Sequence, residues 1–260
     1  MGEPALRGSV MPRPFLITVL RRAPFVAALL GLCAAHADPG YYVIRPYAQA
    51  AQWGLELRYW TVKQRSGGPA VLWPELALSY GIHERWTSTL LASYEGTREE
   101  AVRLDTWNWI HQIRLDDGRG DSDLALHVQL IKTGGEERGH ALELGLVTQT
   151  EWHLARLQAN AILEHGWGDL ARSGTELKVQ WQLSWPLQPG WRAGVQGFGE
   201  LGNWRHWKPA ERQSHRAGPS LQTDWSLGAQ RSLHVEAAWL LGKTYGQRGN
   251  MFSATAKLLF

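Results

Sequence analysis

The sequence predicts an all-β chain: a single up-and-down antiparallel transmembrane β-barrel of about twelve strands, with ten as the alternative count, preceded by a cleaved signal peptide. Three observations carry this. From residue 53 to the end, apolar and polar residues alternate with a period of two in successive segments, the pattern of strands whose two faces meet different media. The connections between segments alternate between short and longer, as in barrels with tight periplasmic turns and larger outer loops. The chain also opens with a basic, then apolar, then small-residue stretch of the kind removed during secretion.

Composition agrees. Fifteen tryptophans in 260 residues is a high load for a water-soluble chain, and tryptophan favours membrane–water interfaces, where the ring is part buried and its N–H stays wet. No run of about eighteen apolar residues occurs, which excludes a helical membrane protein. The net charge of +3 is spread along the chain without a Lys/Arg run, so no nucleic-acid partner is expected.

Residues 1–37 form the signal peptide. Arg13, Arg21 and Arg22 supply its positive region, Ala23 to Ala35 its apolar run, and Ala35-His36-Ala37 the small residues at the cleavage site. The apolar run is too short to cross a core of ~30 Å. Met11 is an alternative start. Bulky Leu32 before Cys33 argues against lipoprotein acylation, and the flanks of Arg21-Arg22 do not fit a twin-arginine signal, so export through Sec is expected. Cys33 is the only cysteine; its removal leaves no disulfide, zinc thiolate or thiol nucleophile. Residues 38–52 are expected to be a periplasmic lead-in or an extension of the first strand, ahead of a barrel over 53–260.

The strands follow in order, and parity fixed from the C-terminal residue assigns one face of each to the lumen. Segment 53–63 turns Glu56 and Arg58 inward, 71–80 Glu75, 86–95 Glu95, 104–114 Arg114, 122–132 His127, and 139–149 Glu143. Segment 153–165 contributes Arg156 and Glu164, 174–185 Glu176 and Lys178, and 191–200 Arg192 and Glu200. Segment 217–225 contributes Asp224, 231–240 His234 and Glu236, and 251–260 Lys257. The alternation is clearest over 176–185, where Leu177, Val179, Trp181, Leu183 and Trp185 share one face and Glu176, Lys178, Gln180, Gln182 and Ser184 the other. A charge facing lipid near the midplane would cost ~2–4 kcal/mol for Arg or Lys, so their confinement to one face supports the topology.

The last strand carries the most specific local signal. Phe260 ends the chain, and Leu258, Ala256, Ala254 and Phe252 continue its outward face. This resembles the terminal strand of proteobacterial outer-membrane proteins, which implies that Phe260, Leu258 and Phe252 are read by the barrel-assembly machinery. Tyr80-Gly81-Ile82-His83-Glu84-Arg85-Trp86 resembles a strand–turn–strand unit of poorly characterised proteobacterial barrels, including those linked to phenol-degradation operons. Phe198-Gly199-Glu200-Leu201-Gly202 is similar to a segment of the same proteins. The resemblance implies location in the outer membrane of a Gram-negative bacterium and passage of small or partly hydrophobic molecules.

Chemistry-bearing motifs are sparse. Ser214, His215 and Glu200 could compose a hydrolytic set, but neighbours in an extended strand point to opposite faces, and neither a Gly-x-Ser-x-Gly elbow nor a His-Glu-x-x-His helix is present. Asp116, Asp117, Asp121 and Asp123 surround Gly118 and Gly120, which reads as turn chemistry and not a calcium loop. No cofactor or metal is expected. The longest outer loop offers Arg205, Lys208, Arg212 and Arg216 to lipopolysaccharide phosphates. The leading expectation is a non-enzymatic small-solute channel or transporter-like pore with a mixed-charge lumen; the alternatives are a sealed structural or interaction barrel and, less favoured, a lipid-modifying enzyme.

Overall fold

Strands with one apolar and one polar face cannot leave both in the same medium, and this chain resolves the conflict by rolling into a closed barrel. The computed structural model describes residues 42–260 apart from 48, 66, 118–119, 135–137, 173, 229 and 245–246. The signal peptide expected over 1–37 lies outside the described residues. Twelve antiparallel strands follow one another around the barrel, each paired with its sequence neighbours, and the first pairs with the last. They are β1 (Trp53–Gln64), β2 (Val71–His83), β3 (Trp86–Thr97), β4 (Arg103–Arg114), β5 (Ser122–Thr133), β6 (Gly139–Trp152), β7 (Ala155–Gly168), β8 (Glu176–Gln188), β9 (Trp191–Asn203), β10 (Ser214–Ser226), β11 (Ser232–Thr244) and β12 (Gln247–Leu259).

Twelve strands match the expected count, and the boundaries shift by a few residues. The largest shifts are at β11, which runs on to Thr244 instead of 240, and β12, which begins at Gln247 instead of 251, while β10 begins at Ser214 instead of 217. The proximal end holds both ends of the barrel: Trp53 and Phe260 exchange backbone hydrogen bonds of 2.9 Å in each direction. Turns there include the two-residue connections 84–85, 153–154 and 189–190. Pro189-Gly190 is built for such a turn, with Gly190 at φ 78°, a region that a proline-led type II turn requires at its second central residue. The distal end carries the longer loops 65–70, 98–102, 134–138, 169–175 and 204–213.

Register makes each face coherent. Leu55 opposes Leu258, Leu57 opposes Ala256, and Thr61 opposes Phe252, all on the outside. Glu56 opposes Lys257 and Arg58 opposes Glu75, both pairs inside. The outer face leaves Leu57 and Leu90 each 58% exposed, with Leu130, Leu144 and Leu146 nearly as bare. Tryptophans stand toward the ends of this face, Trp53, Trp86 and Trp152 proximally and Trp107, Trp167 and Trp239 distally. An apolar belt edged by aromatic rings is the surface of a transmembrane barrel.

Residues 42–47, expected with 38–52 to be a periplasmic lead-in or an extension of the first strand, run within the barrel. The reason is local. At Gly81 an added Cβ would stand 1.7 Å from the Gln49 carbonyl oxygen. Only glycine lets the backbone of 49–52 lie against β2 there. Gly81 N–H donates to Gln52 O and Ala51 N–H to Gly81 O, which reverses the chain from the interior into β1.

The belt predicts a depth-dependent penalty. Leu144→Arg, near the middle of β6, should lower the unfolding free energy in vesicles by about 2–4 kcal/mol, and Trp152→Arg at the proximal edge by about 0–1 kcal/mol, as measured by urea titration of tryptophan fluorescence.

Candidate functional site: the barrel interior

The interior is where polar side chains converge, and the inner segment organises its proximal half. In extended conformation, residues 43 and 45 face one wall and residue 44 the other. Arg45 donates to Glu236 (2.6 Å) and Gln222 (2.7 Å), and lies 3.4 Å from His234 Nδ1. His234 in turn meets Asp224 at 2.7 Å. On the opposite wall the Ile44 N–H donates to Gln180 Oε1 (3.2 Å), and Asn160 Nδ2 donates to the Ile44 carbonyl (2.9 Å). Thus a strand edge that would be orphaned in the lumen is satisfied by side-chain amides. The Arg58 guanidinium lies 3.7 Å from the Tyr42 ring centroid. Burial pushes the Tyr42 and Tyr47 phenols up, and the Tyr47 hydroxyl donates to Gln49 Oε1 at 2.9 Å.

A band of amides lines the middle of one wall, on β7 to β10. Gln158, Gln182, Gln196 and Gln222 are almost wholly buried. Gln182 donates to Gln196 (2.8 Å) and Glu236 (2.9 Å), and Gln222 donates to Gln182 (3.1 Å). Amides donate and accept without carrying charge, so they can line a narrow space without the desolvation cost of ions.

Toward the distal end, charged groups form a continuous chain. His127 Nε2 stands 3.6 Å from Glu143, Lys178 Nζ 3.3 Å from Glu143 and in contact with Glu164, and Arg172 bridges Glu164 (3.9 Å) and Glu176. Lys208 then reaches Glu176 at 3.1 Å. Beside it an apolar patch occupies the other wall: Trp60 stacks on Trp73 with centroids 4.5 Å apart, packed with Val62, Phe198, Leu240 and Met251 and touched from inside by Val43. A cavity of about 300 Å³ remains between the inner segment and the proximal walls, lined among others by Tyr47, Arg58, His127, Glu236 and Lys257.

The structure distributes the other expected residues unevenly. Glu56 binds Arg58 at 2.5 Å, with Glu75 and Lys257 close by. Glu95 is half-buried on β3. Arg114 spans Asp116 and Asp123 at 2.6 and 2.7 Å, so a strand-end arginine neutralises the aspartate-rich turn. Arg156 pairs with Glu151 at 2.5 Å, and Arg192 donates to the Ser184 and Leu154 carbonyls near the proximal rim. Arg205 and Arg212 are exposed in the 204–213 loop. Arg216 corrects the expectation of a lipopolysaccharide contact. It lies within β10, is buried, donates to Glu200 at 2.9 Å and stands over the Phe198 ring. Ser214 is buried inside while His215 is exposed outside, so the two do not converge with Glu200.

Sequence reasoning missed the amide band, the apolar patch and the inner segment. The first two carried a signal: Trp60 and Val62 share the parity of Glu56 and Arg58, and Gln180 and Gln182 that of Lys178. The inner segment itself carried none, since the wall contacts of Ile44 and Arg45 are all distant in sequence.

No family model and no curated protein matches the sequence. Solved structures do. An outer membrane channel from Pseudomonas putida F1 is similar with a TM-score of 0.57 at 10% identity, over 86% of this chain and 100% of that one. The NanC porin is similar with a TM-score of 0.53 at 10% identity, over 78% of this chain and 98% of the porin. At such identities the likeness is one of fold, that of outer-membrane barrels.

The distal ion chain predicts an asymmetric cost. Lys178→Met should destabilise the barrel by about 3–5 kcal/mol, because Glu143 and Glu164 lose their shared buried cation. Adding Glu143→Gln and Glu164→Gln to that variant should restore most of the loss. Thermal unfolding of the three-residue variant beside the single one checks this.

Proposed function

We propose that this chain is an outer-membrane channel of a Gram-negative bacterium that passes small solutes and is closed at rest by its own residues 42–47. The observation that carries the reading is the way this segment is held: Arg45 reaches Glu236 and Gln222 through hydrogen bonds to side chains, and Ile44 is held by the amides of Gln180 and Asn160. None of these contacts belongs to the barrel ladder, so the segment can leave without breaking a strand. Eight-stranded barrels are filled by side chains and sixteen-stranded ones leave a channel. Twelve strands lie between, and a short peptide fills the difference.

The lumen supports a solute class. Amides line one wall and the Trp60–Trp73 patch part of the other, a division that suits a small amphipathic molecule better than an ion. The resemblance of Tyr80–Trp86 to barrels linked to phenol-degradation operons points toward an aromatic solute of this kind. Export through Sec, insertion by the barrel-assembly machinery through Phe252, Leu258 and Phe260, and a lipopolysaccharide contact at the exposed Arg205 and Arg212 belong to the same reading, while Lys208 is taken up by Glu176. The fold it shares with an outer membrane channel and a porin supports it.

A second reading, a sealed structural barrel, is favoured by the buried chain from Glu143 to Arg172, which would resist rearrangement. Planar-bilayer recording of refolded residues 38–260 separates the two. The parent chain should open rarely, Arg45→Ala more often, and deletion of 42–47 should give a conductance several-fold above the parent's. A deletion variant that inserts yet conducts no better than the parent would leave the sealed barrel as the answer.

A further inference from the structure

Outside the barrel, near the distal rim, four outward side chains from four consecutive strands stand in one row. Register sets it: Trp107 opposes Lys132, Lys132 opposes His140, and His140 opposes Trp167. His140 lies flat on Trp167, with centroids 5.4 Å apart and planes 19° from parallel. One row nearer the midplane the side chains are apolar, with Leu90 opposite Trp109, Trp109 opposite Leu130, and Leu130 opposite Leu142. Above the row stands Arg138, whose backbone N–H is fixed by the Asp169 carboxylate at 2.6 Å. Together these residues bound an open groove of about 880 Å³ on the outer surface.

Charge sets this groove apart from the lumen. The interior cations described above have protein partners, whereas Lys132 and Arg138 are exposed and, among the described residues, form no ion pair. Asp105, two residues nearer the rim on β4, does not line the groove. A lysine facing outward at belt height is tolerable only where its ammonium reaches headgroup phosphates. At ~4.8 Å between strands the row is roughly 14 Å across, wide enough for a disaccharide headgroup and more than one glycerol phosphate needs. Tryptophans at both ends suit sugar rings at the interface, and the leucine row beneath suits acyl chains.

We propose that this groove binds a phosphorylated glycolipid of the outer leaflet, with Lys132 and Arg138 on its phosphates and Trp107 and Trp167 flanking its sugars. The site rests on the outer-membrane reading, which places the distal end at the outer leaflet. It is distinct from the exposed 204–213 loop.

Refolded residues 38–260 in detergent would be titrated with bisphosphorylated lipid A, its dephosphorylated form, phosphatidylglycerol and inorganic phosphate, with binding counted by native mass spectrometry. The parent should prefer bisphosphorylated lipid A over the other three. K132Q/R138Q should bind it at least about tenfold more weakly, the ratio expected for loss of a charge-assisted contact, and R205Q/R212Q should match the parent. Equal affinity in K132Q/R138Q and the parent, or equal binding of phosphatidylglycerol or free phosphate, would overturn the site. Each variant is first scored for detergent-resistant folded migration. A parent chain that never folds this way contradicts the membrane reading itself, whereas a folded K132Q/R138Q with unchanged affinity sinks only the groove.

Discussion

Closure of β1 onto β12 is the constraint on which everything else depends. In hydrocarbon a strand edge has no water to turn to, and each unpaired backbone group costs several kcal/mol. The reciprocal bonds between Trp53 and Phe260 complete the ladder at the proximal end, and the paired rows from Gly54–Leu259 to Gln64–Gly249 complete it to the other. Once closed, the barrel separates two media absolutely. Outside the Trp60–Leu240 patch leucine has no reason to be inside, and a carboxylate cannot be outside at mid-depth, so the alternation of the sequence becomes a radial sorting.

That sorting creates a second problem, since a polar interior this size must be filled or wetted. The chain uses three materials in three places: ions toward the distal end, amides in the middle, and a length of its own backbone proximally. Each matches its surroundings. The distal carboxylates share cations supplied both by strands and by the 169–175 and 204–213 loops, through Arg172 and Lys208. The amides need no counter-charge. The backbone of 42–47 brings its own donors and acceptors, which the amides of Gln180 and Asn160 satisfy.

Which of this was legible follows from the range of the interactions. Strand number, order and the radial sense of nearly every charged residue were readable, because a period of two is a local property and a one-residue slip would turn every leucine inward. β10 was expected from 217 and begins at Ser214, so residues 214–216, read as loop, belong to the strand. In place, Pro219 gives up one ladder donor, and Gly218 lies so close to the Trp239 carbonyl that a Cβ would stand 2.0 Å from it; both belong to a strand. Arg216 therefore moved from the loop to the interior. Residues 42–47 show no alternation to read, because the wall partners of Ile44 and Arg45 lie 116 to 191 positions away. Gly81, part of a segment whose family likeness was visible, held the one local clue to that path, a position where no side chain fits.

The two ends of the lumen differ in what it would take to move them. Distally, Glu143, Glu164 and Lys178 are buried and mutually dependent, so displacing any one strands the others at a cost typical of broken buried pairs. Proximally, Arg45 is partly exposed and its side-chain partners Gln222, His234 and Glu236 already have bonds to one another's neighbours. When Arg45 leaves, Gln222 still meets Gln182, Glu236 still meets Gln182, and His234 still meets Asp224. Glu236 loses its arginine but keeps Gln182 and a histidine 3.6 Å away, so the proximal wall, unlike the distal chain, retains a partner at each of these residues, which is what the proposed plug requires.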